Sequence, residues 1–177
     1  MMYKQVLLFK SGQILYHTQD LALLWGLQNR HNLRVTISRY IKKGLLYSVF
    51  KGLYSIIPVN KIDELKLGPA LIHKFCYLSC QSILEKHGVI NQKVFSLTFV
   101  SSLSKKIEFE GKLFIYKQMN PQFLLNPEGI VFEDGVYKAS LERAVADIEY
   151  FNMNVFYDSP NLIDWDKVKK IKKKIGY

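Results

Sequence analysis

Arg34, Ser38, Arg39 and Lys42 recur at spacings of three and four residues, so a helix would gather them on one side. The chemistry open to such a set is recognition rather than bond-making. An arginine can donate two parallel hydrogen bonds to guanine O6 and N7, which discriminates against other bases by about 1–3 kcal/mol. Lys42, Lys43 and Lys51 are point charges suited to neutralising phosphates, with Thr36 and Lys43 at the edges of the same side. Arg30 and His31 stand in the polar stretch just before and could reach a nucleic-acid backbone. The other side carries Leu33, Ile37, Tyr40 and Ile41, the apolar stripe of a helix fixed to a core.

Bond-making constellations are harder to assemble. Glu108-x-Glu110-x-Lys112 has the acid-then-lysine order of metal-dependent nuclease strands, but Gly111 makes the segment a better hairpin turn and no upstream partner carboxylate is evident. There is no glycine loop to cradle a phosphate, and His17, His31, His73 and His87 lie in separate local contexts with no Ser or Cys nucleophile paired to one. Cys76 and Cys80 are four residues apart and would share a helix face. No second Cys or His pair completes a zinc site, so they read as two reduced, packed thiols. The expectation is a protein that is not an enzyme, with no catalytic residue, metal or cofactor.

The elements that must position the recognition set can be followed along the chain. Met2 to Lys10 can form a first helix, and Ile14 to His17 a short strand. Thr18 would cap a helix stopping at Gly26, with Asp20 in its first turn. Asn32 would cap the next, Leu33 to Lys43, closed by Gly44. Leu45 to Phe50 and Leu53 to Ile57 read as a hairpin about Lys51-Gly52, ended by Pro58. Helix, strand, helix, turn, helix, hairpin is the layout of a winged helix-turn-helix, whose second helix of the pair docks in the major groove. That domain is placed at residues 1–60, followed by a polar linker.

A second domain is placed at 67–177. Gly68 to Phe75 and Ser79 to His87 read as helices, and Lys93–Val100, Lys106–Phe109 and Lys112–Lys117 as antiparallel strands. Ile130–Glu133 and Val136–Lys138 form a hairpin about Asp134-Gly135. Ser140 would cap an amphipathic helix from Leu141 to Phe151, and a lysine-rich helix, Trp165 to Ile175, follows. The fold class expected is α+β: a winged helix-turn-helix ahead of a mixed helix and antiparallel-sheet domain.

Charge divides along the chain in the same way. Residues 1–60 hold eight Lys or Arg and one acid, residues 61–160 are almost balanced at −1, and residues 161–177 carry +4. Two basic ends around a neutral middle point to polyanionic partners. Double-stranded DNA, an operator of inverted repeats, is the partner expected. Lys169, Lys170, Lys172, Lys173 and Lys174 could add phosphate contacts. No apolar run reaches the 18 or so residues of a membrane span, and Lys10 interrupts the apolar stretch after Lys4 too early for a secretory leader; a cytoplasmic protein is expected.

Several stretches resemble AbiEi-type antitoxins, the repressor halves of abortive-infection toxin–antitoxin operons. Ile41-Lys42-Lys43-Gly44-Leu45-Leu46, followed by Lys51-Gly52-Leu53-Tyr54, is similar to that family's helix-to-wing passage. Tyr77-Leu78-Ser79-Cys80-Gln81-Ser82-Ile83-Leu84-Glu85-Lys86-His87-Gly88-Val89-Ile90 resembles its helix ending in a His-Gly turn, although Cys80 stands where the family more often has an acidic or polar residue. Ala139-Ser140-Leu141-Glu142-Arg143-Ala144-Val145-Ala146-Asp147 resembles its Glu-Arg-Ala-x-x-x-Asp helix, so the likeness covers about residues 14–152. It implies an antitoxin that represses its own operon through the winged helix and counteracts a nucleotidyltransferase-like toxin, without requiring a stable complex. Glu142, Arg143 and Asp147 would then be a candidate antitoxin surface. Their local chemistry offers another role, because Arg143 and Asp147 are four apart and can form an intrahelical ion pair. Two rival readings remain at this point: a ligand-sensing regulator, which needs a large apolar pocket in the second domain, and a DNA-acting metalloenzyme built on Glu110. A module that binds no DNA is a third.

Overall fold

Apolar side chains returning every three or four residues build three helices near the N-terminus: α1 (Met2–Lys10), α2 (Thr18–Trp25) and α3 (Arg30–Lys42). The strand β1 (Leu15–His17) lies between the first two, and β2 (Tyr47–Phe50) and β3 (Leu53–Ser55) follow the third. The computed structural model describes residues 2–177; Met1, where the first expected domain begins, lies outside them. Two compact units divide the chain, residues 1–73 and 74–177.

In the first unit the strands form one sheet in the order β1-β3-β2, all antiparallel. The core is a single cluster of Leu8, Tyr16, Leu21, Trp25, Leu33, Ile37, Tyr40 and Leu46. Trp25 anchors two helices at once: its Nε1 donates to the Lys4 carbonyl at 3.2 Å, and its ring lies 5.0 Å from that of Tyr40. The unit then takes in a 3-10 turn at Val59–Lys61 and α4 (Glu64–Ile72). The polar linker and the helix beginning at Gly68 that the sequence suggests here are corrected. In fact Asp63 caps α4, accepting from the Leu65 N–H at 2.8 Å, so the helix starts four residues earlier and carries Pro69 in its interior.

The second unit is a six-stranded mixed sheet in the order β6-β7-β5-β4-β9-β8. Its strands are β4 (Cys76–Leu78), β5 (Ser96–Ser101), β6 (Lys105–Phe109), β7 (Lys112–Gln118), β8 (Ile130–Glu133) and β9 (Val136–Ala139). The expectation of an antiparallel sheet is corrected here: β5 pairs with β7 and β4 with β9 in parallel. The two hairpins, β6–β7 and β8–β9, are antiparallel as their turn residues require. The helix face expected to be shared by Cys76 and Cys80 is also corrected, since β4 is a central strand buried along its whole length. Cys76 sits in that strand and Cys80 at the start of α5 (Gln81–Lys86), so the two share no helix face. Both are free and buried, and burial pushes the Cys76 thiol up to about 12.

Short α6 (Pro121–Leu124) precedes α7 (Leu141–Tyr150), which packs against α5 and α8 (Trp165–Ile175). Ser140 caps α7 as its type suggests, accepting from the Arg143 N–H at 3.2 Å. The architecture is therefore α+β. Among the described residues no helix is long and apolar enough to cross a membrane.

Candidate nucleic-acid interface

The sequence of α3 fixes which side faces out. Leu33, Ile37 and Tyr40 are buried in the core, and burying side chains of this kind stabilises their placement by about 1.5–3 kcal/mol each. Arg30, Arg34, Ser38, Arg39 and Lys42 consequently stand on the exposed side. His31, Arg34, Val35, Ser38, Arg39 and Lys42 line one shallow depression, so the spacing predicted from sequence is realised as a continuous patch. Ile41, counted with the apolar side, is instead partly exposed.

Local hydrogen bonds position this helix. Asn29, not Asn32, is the cap: its Oδ1 accepts from the Asn32 N–H at 3.1 Å. The helix begins three residues before the expected start, and Arg30 lies in its first turn rather than in the preceding loop. A cation there meets the positive end of the helix dipole with no acid in the first turn to offset it. Thr36 is half-buried and its hydroxyl donates to the Asn32 carbonyl at 2.8 Å, which leaves it a weaker candidate than Ser38 for a base contact. Lys43 forms the C-terminal cap, its N–H donating to the Arg39 carbonyl at 3.2 Å.

The hairpin is tied to the start of α2. The Thr18 N–H and hydroxyl both donate to the Gly52 carbonyl, at 2.9 and 3.2 Å, so Thr18 is the first helical residue and a strut for the hairpin rather than the cap. The cap position falls to His17, whose N–H donates to Asp20 at 2.7 Å. Lys51 is exposed at the hairpin tip. Among the described residues, Arg30, Arg34, Arg39, Lys42 and Lys51 form no ion pair. Five cations left without carboxylates on a rigid scaffold make a surface complementary to a polyanion.

The other expected sites fare differently. Arg143 and Asp147 are both 0 % exposed and so present no surface. The ion pair is what forms, with Arg143 Nε 2.9 Å from Asp147 Oδ1. The guanidinium also donates to the Glu128 carbonyl at 2.8 Å and to the Tyr77 hydroxyl at 2.9 Å, while Ser79 and Tyr177 donate to Asp147. Glu142 is half-buried and pairs with Lys167 at 3.0 Å, which holds its carboxyl low against the opposing effect of burial.

The terminal lysines sit on α8, whose Val168, Ile171 and Ile175 are buried as their spacing suggests. Lys172 and Lys174 are engaged by Glu149 and Glu128, and Lys169 lies 3.6 Å from Asp166. Lys170 and Lys173 are exposed and keep the capacity for phosphate contact. Glu110 stands at φ 50 in the turn between β6 and β7, and no three His, Cys, Asp or Glu side chains among the described residues converge on a metal position.

No protein-family model matches the chain, and no curated protein matches it.

Proposed function

We propose that the N-terminal unit is a winged helix-turn-helix and that the chain is a sequence-specific DNA-binding repressor. The observation that carries this reading is the outward row Arg34, Ser38, Arg39 and Lys42 on α3, whose cations form no ion pair among the described residues and which is backed by a buried apolar side. In this account α3 enters the major groove, Arg34 and Arg39 reach base edges, and Lys42, Lys43 and Lys51 neutralise phosphates. Arg30, at the start of α3, adds a backbone contact where the helix dipole also favours an anion. The antitoxin role rests on the family resemblance: the protein represses the promoter of its own toxin–antitoxin operon and counteracts a nucleotidyltransferase-like toxin. A gene for such a toxin directly downstream would support that part.

The test is a comparison of two variants on promoter DNA and on scrambled DNA of equal length. Arg39→Ala weakens promoter binding by about tenfold or more and scrambled-DNA binding little, because a lost base contact removes discrimination. Lys51→Ala weakens both to the same modest degree. Equal losses for the two variants on the two DNAs would refute this division of roles.

A further inference from the structure

The second unit holds a cleft that the repressor reading leaves unused. Its floor is the β6–β7–β5 part of the sheet, where Lys106 is paired with Ile115 and Ile115 with Thr98. Directly paired residues stand on one face, and Lys117, two along from Ile115, joins them. The walls are two connecting segments, residues 90–95 and 153–158. They are tied together at one end: the Asn91 N–H donates to Asp158 at 2.7 Å, and the Ser159 N–H to the Val89 carbonyl at 3.1 Å. The space measures about 690 Å³, within the range of small-ligand sites. It is open and lined by polar as well as apolar groups, so it is not the apolar pocket of a hydrophobic effector.

Two features restrict what could fill it. Phe95 and Phe156, one on each wall, are 74 % and 82 % exposed, so both rings offer a face on which a flat group could stack. Lys93, Lys106 and Lys117 border the same space, against a single carboxylate, Asp158, already engaged by Asn91. The ammonium groups lie close to rings: Lys93 Nζ is 5.5 Å from the Phe95 centroid and Lys117 Nζ 5.2 Å from that of Phe151. An apolar ligand would strip water from three ammonium groups without compensation, and an acidic peptide would leave the rings uncovered. Bases that stack and phosphates that pair satisfy both features at once.

We propose that this cleft binds single-stranded nucleic acid, with bases on Phe95 and Phe156 and backbone phosphates along Lys93, Lys106 and Lys117. A strand fits better than a free nucleotide, because the lysines are spread over one wall and two strands rather than converging on one phosphate group. The site lies wholly within the second unit and does not depend on the role assigned to α3.

Fluorescence anisotropy of the whole chain with a labelled thymidylate octamer tests the proposal. Phe156→Ala, and separately the double variant Lys93→Gln/Lys106→Gln, weaken binding by at least about fivefold. Phe156→Tyr, which keeps a flat ring, stays within about twofold of wild type. All these side chains are exposed, so the melting midpoint should not move. Arg39→Ala weakens octamer binding less than either cleft variant does, which separates this site from the duplex-binding helix. The proposal is overturned if the octamer does not bind, if Arg39→Ala removes binding while the cleft variants do not, or if thymidine monophosphate binds as tightly as the octamer.

Discussion

Arg143 carries its guanidinium into a site with no exposure, and every direction in which it can donate meets an acceptor: Asp147, Tyr77 and the carbonyls of Phe123, Asn126 and Glu128. A buried pair of this kind contributes little when compared with an apolar replacement, but losing one partner strands the other charge. Asp147→Ala should therefore destabilise the second unit by about 3–5 kcal/mol in urea unfolding. Tyr177→Phe, which removes one donor to that carboxylate, should cost about 1.5–3 kcal/mol. The spacing of Arg143 and Asp147 made their ion pair legible in the sequence. Its burial was not, because the residues that enclose it, Tyr77, Phe123 and Tyr177, come from elements far apart in the chain.

His17 gives the first unit a pH dependence. Burial, and then the His73 ring stacked on it at 3.7 Å, hold its imidazole below the ordinary value of 6.5. A histidine held low in the fold is protonated first in the unfolded chain. Stability is thus full above about 6.5 and falls as pH drops through that value. The melting midpoint should decline from about pH 7.5 to about pH 5.5, and His17→Gln should shrink that decline.

Among the elements, two glycines mark where backbone and neighbours leave no freedom. Gly129 has φ +70, and a Cβ there would lie 2.8 Å from the Cβ of buried Arg143 and 3.3 Å from Ile171 and Ser140. Gly129→Ala should destabilise by about 2–4 kcal/mol, since neither backbone can yield. Gly52, at φ +75, would place a Cβ 3.3 Å from the Thr18 hydroxyl, so Gly52→Ala strains the strut between hairpin and α2, at about 1–2 kcal/mol.

Local chemistry made some elements readable in the sequence: the apolar stripe of α3, the turn residues of three hairpins and the Ser140 cap. Others depended on tertiary context. β4 is buried on both faces, so it shows no alternation to mark it as a strand between the helices expected on either side. Gly68-Pro69 suggests a helix beginning, yet Asp63 caps the turn before it. The parallel pairing of β5 with β7 leaves no sequence signal, because the direction of a strand's neighbour is set by which distant segment the fold brings beside it. The cleft between them and the two connecting walls was invisible for the same reason: its lysines and rings are brought together only by the fold.

At the scale of the whole molecule, the positive charge divides into two populations. Three of the six lysines of α8, Lys167, Lys172 and Lys174, hold it to its surroundings through Glu142, Glu149 and Glu128. Among the described residues, Arg30, Arg34, Arg39 and Lys42 of α3 and Lys51 of the hairpin form no ion pair, which leaves them available to an external polyanion. That contrast explains why a charge surplus at both ends need not mean two equal binding surfaces.

Titration of the DNA immediately upstream of the chain's own coding sequence, followed over a range of salt concentrations, tests the central claim most directly. Neutralising four to six phosphates predicts a log–log slope of about −4 to −5, with a clear preference over scrambled DNA. A slope near zero, or no preference over scrambled DNA at any salt concentration, would contradict the account.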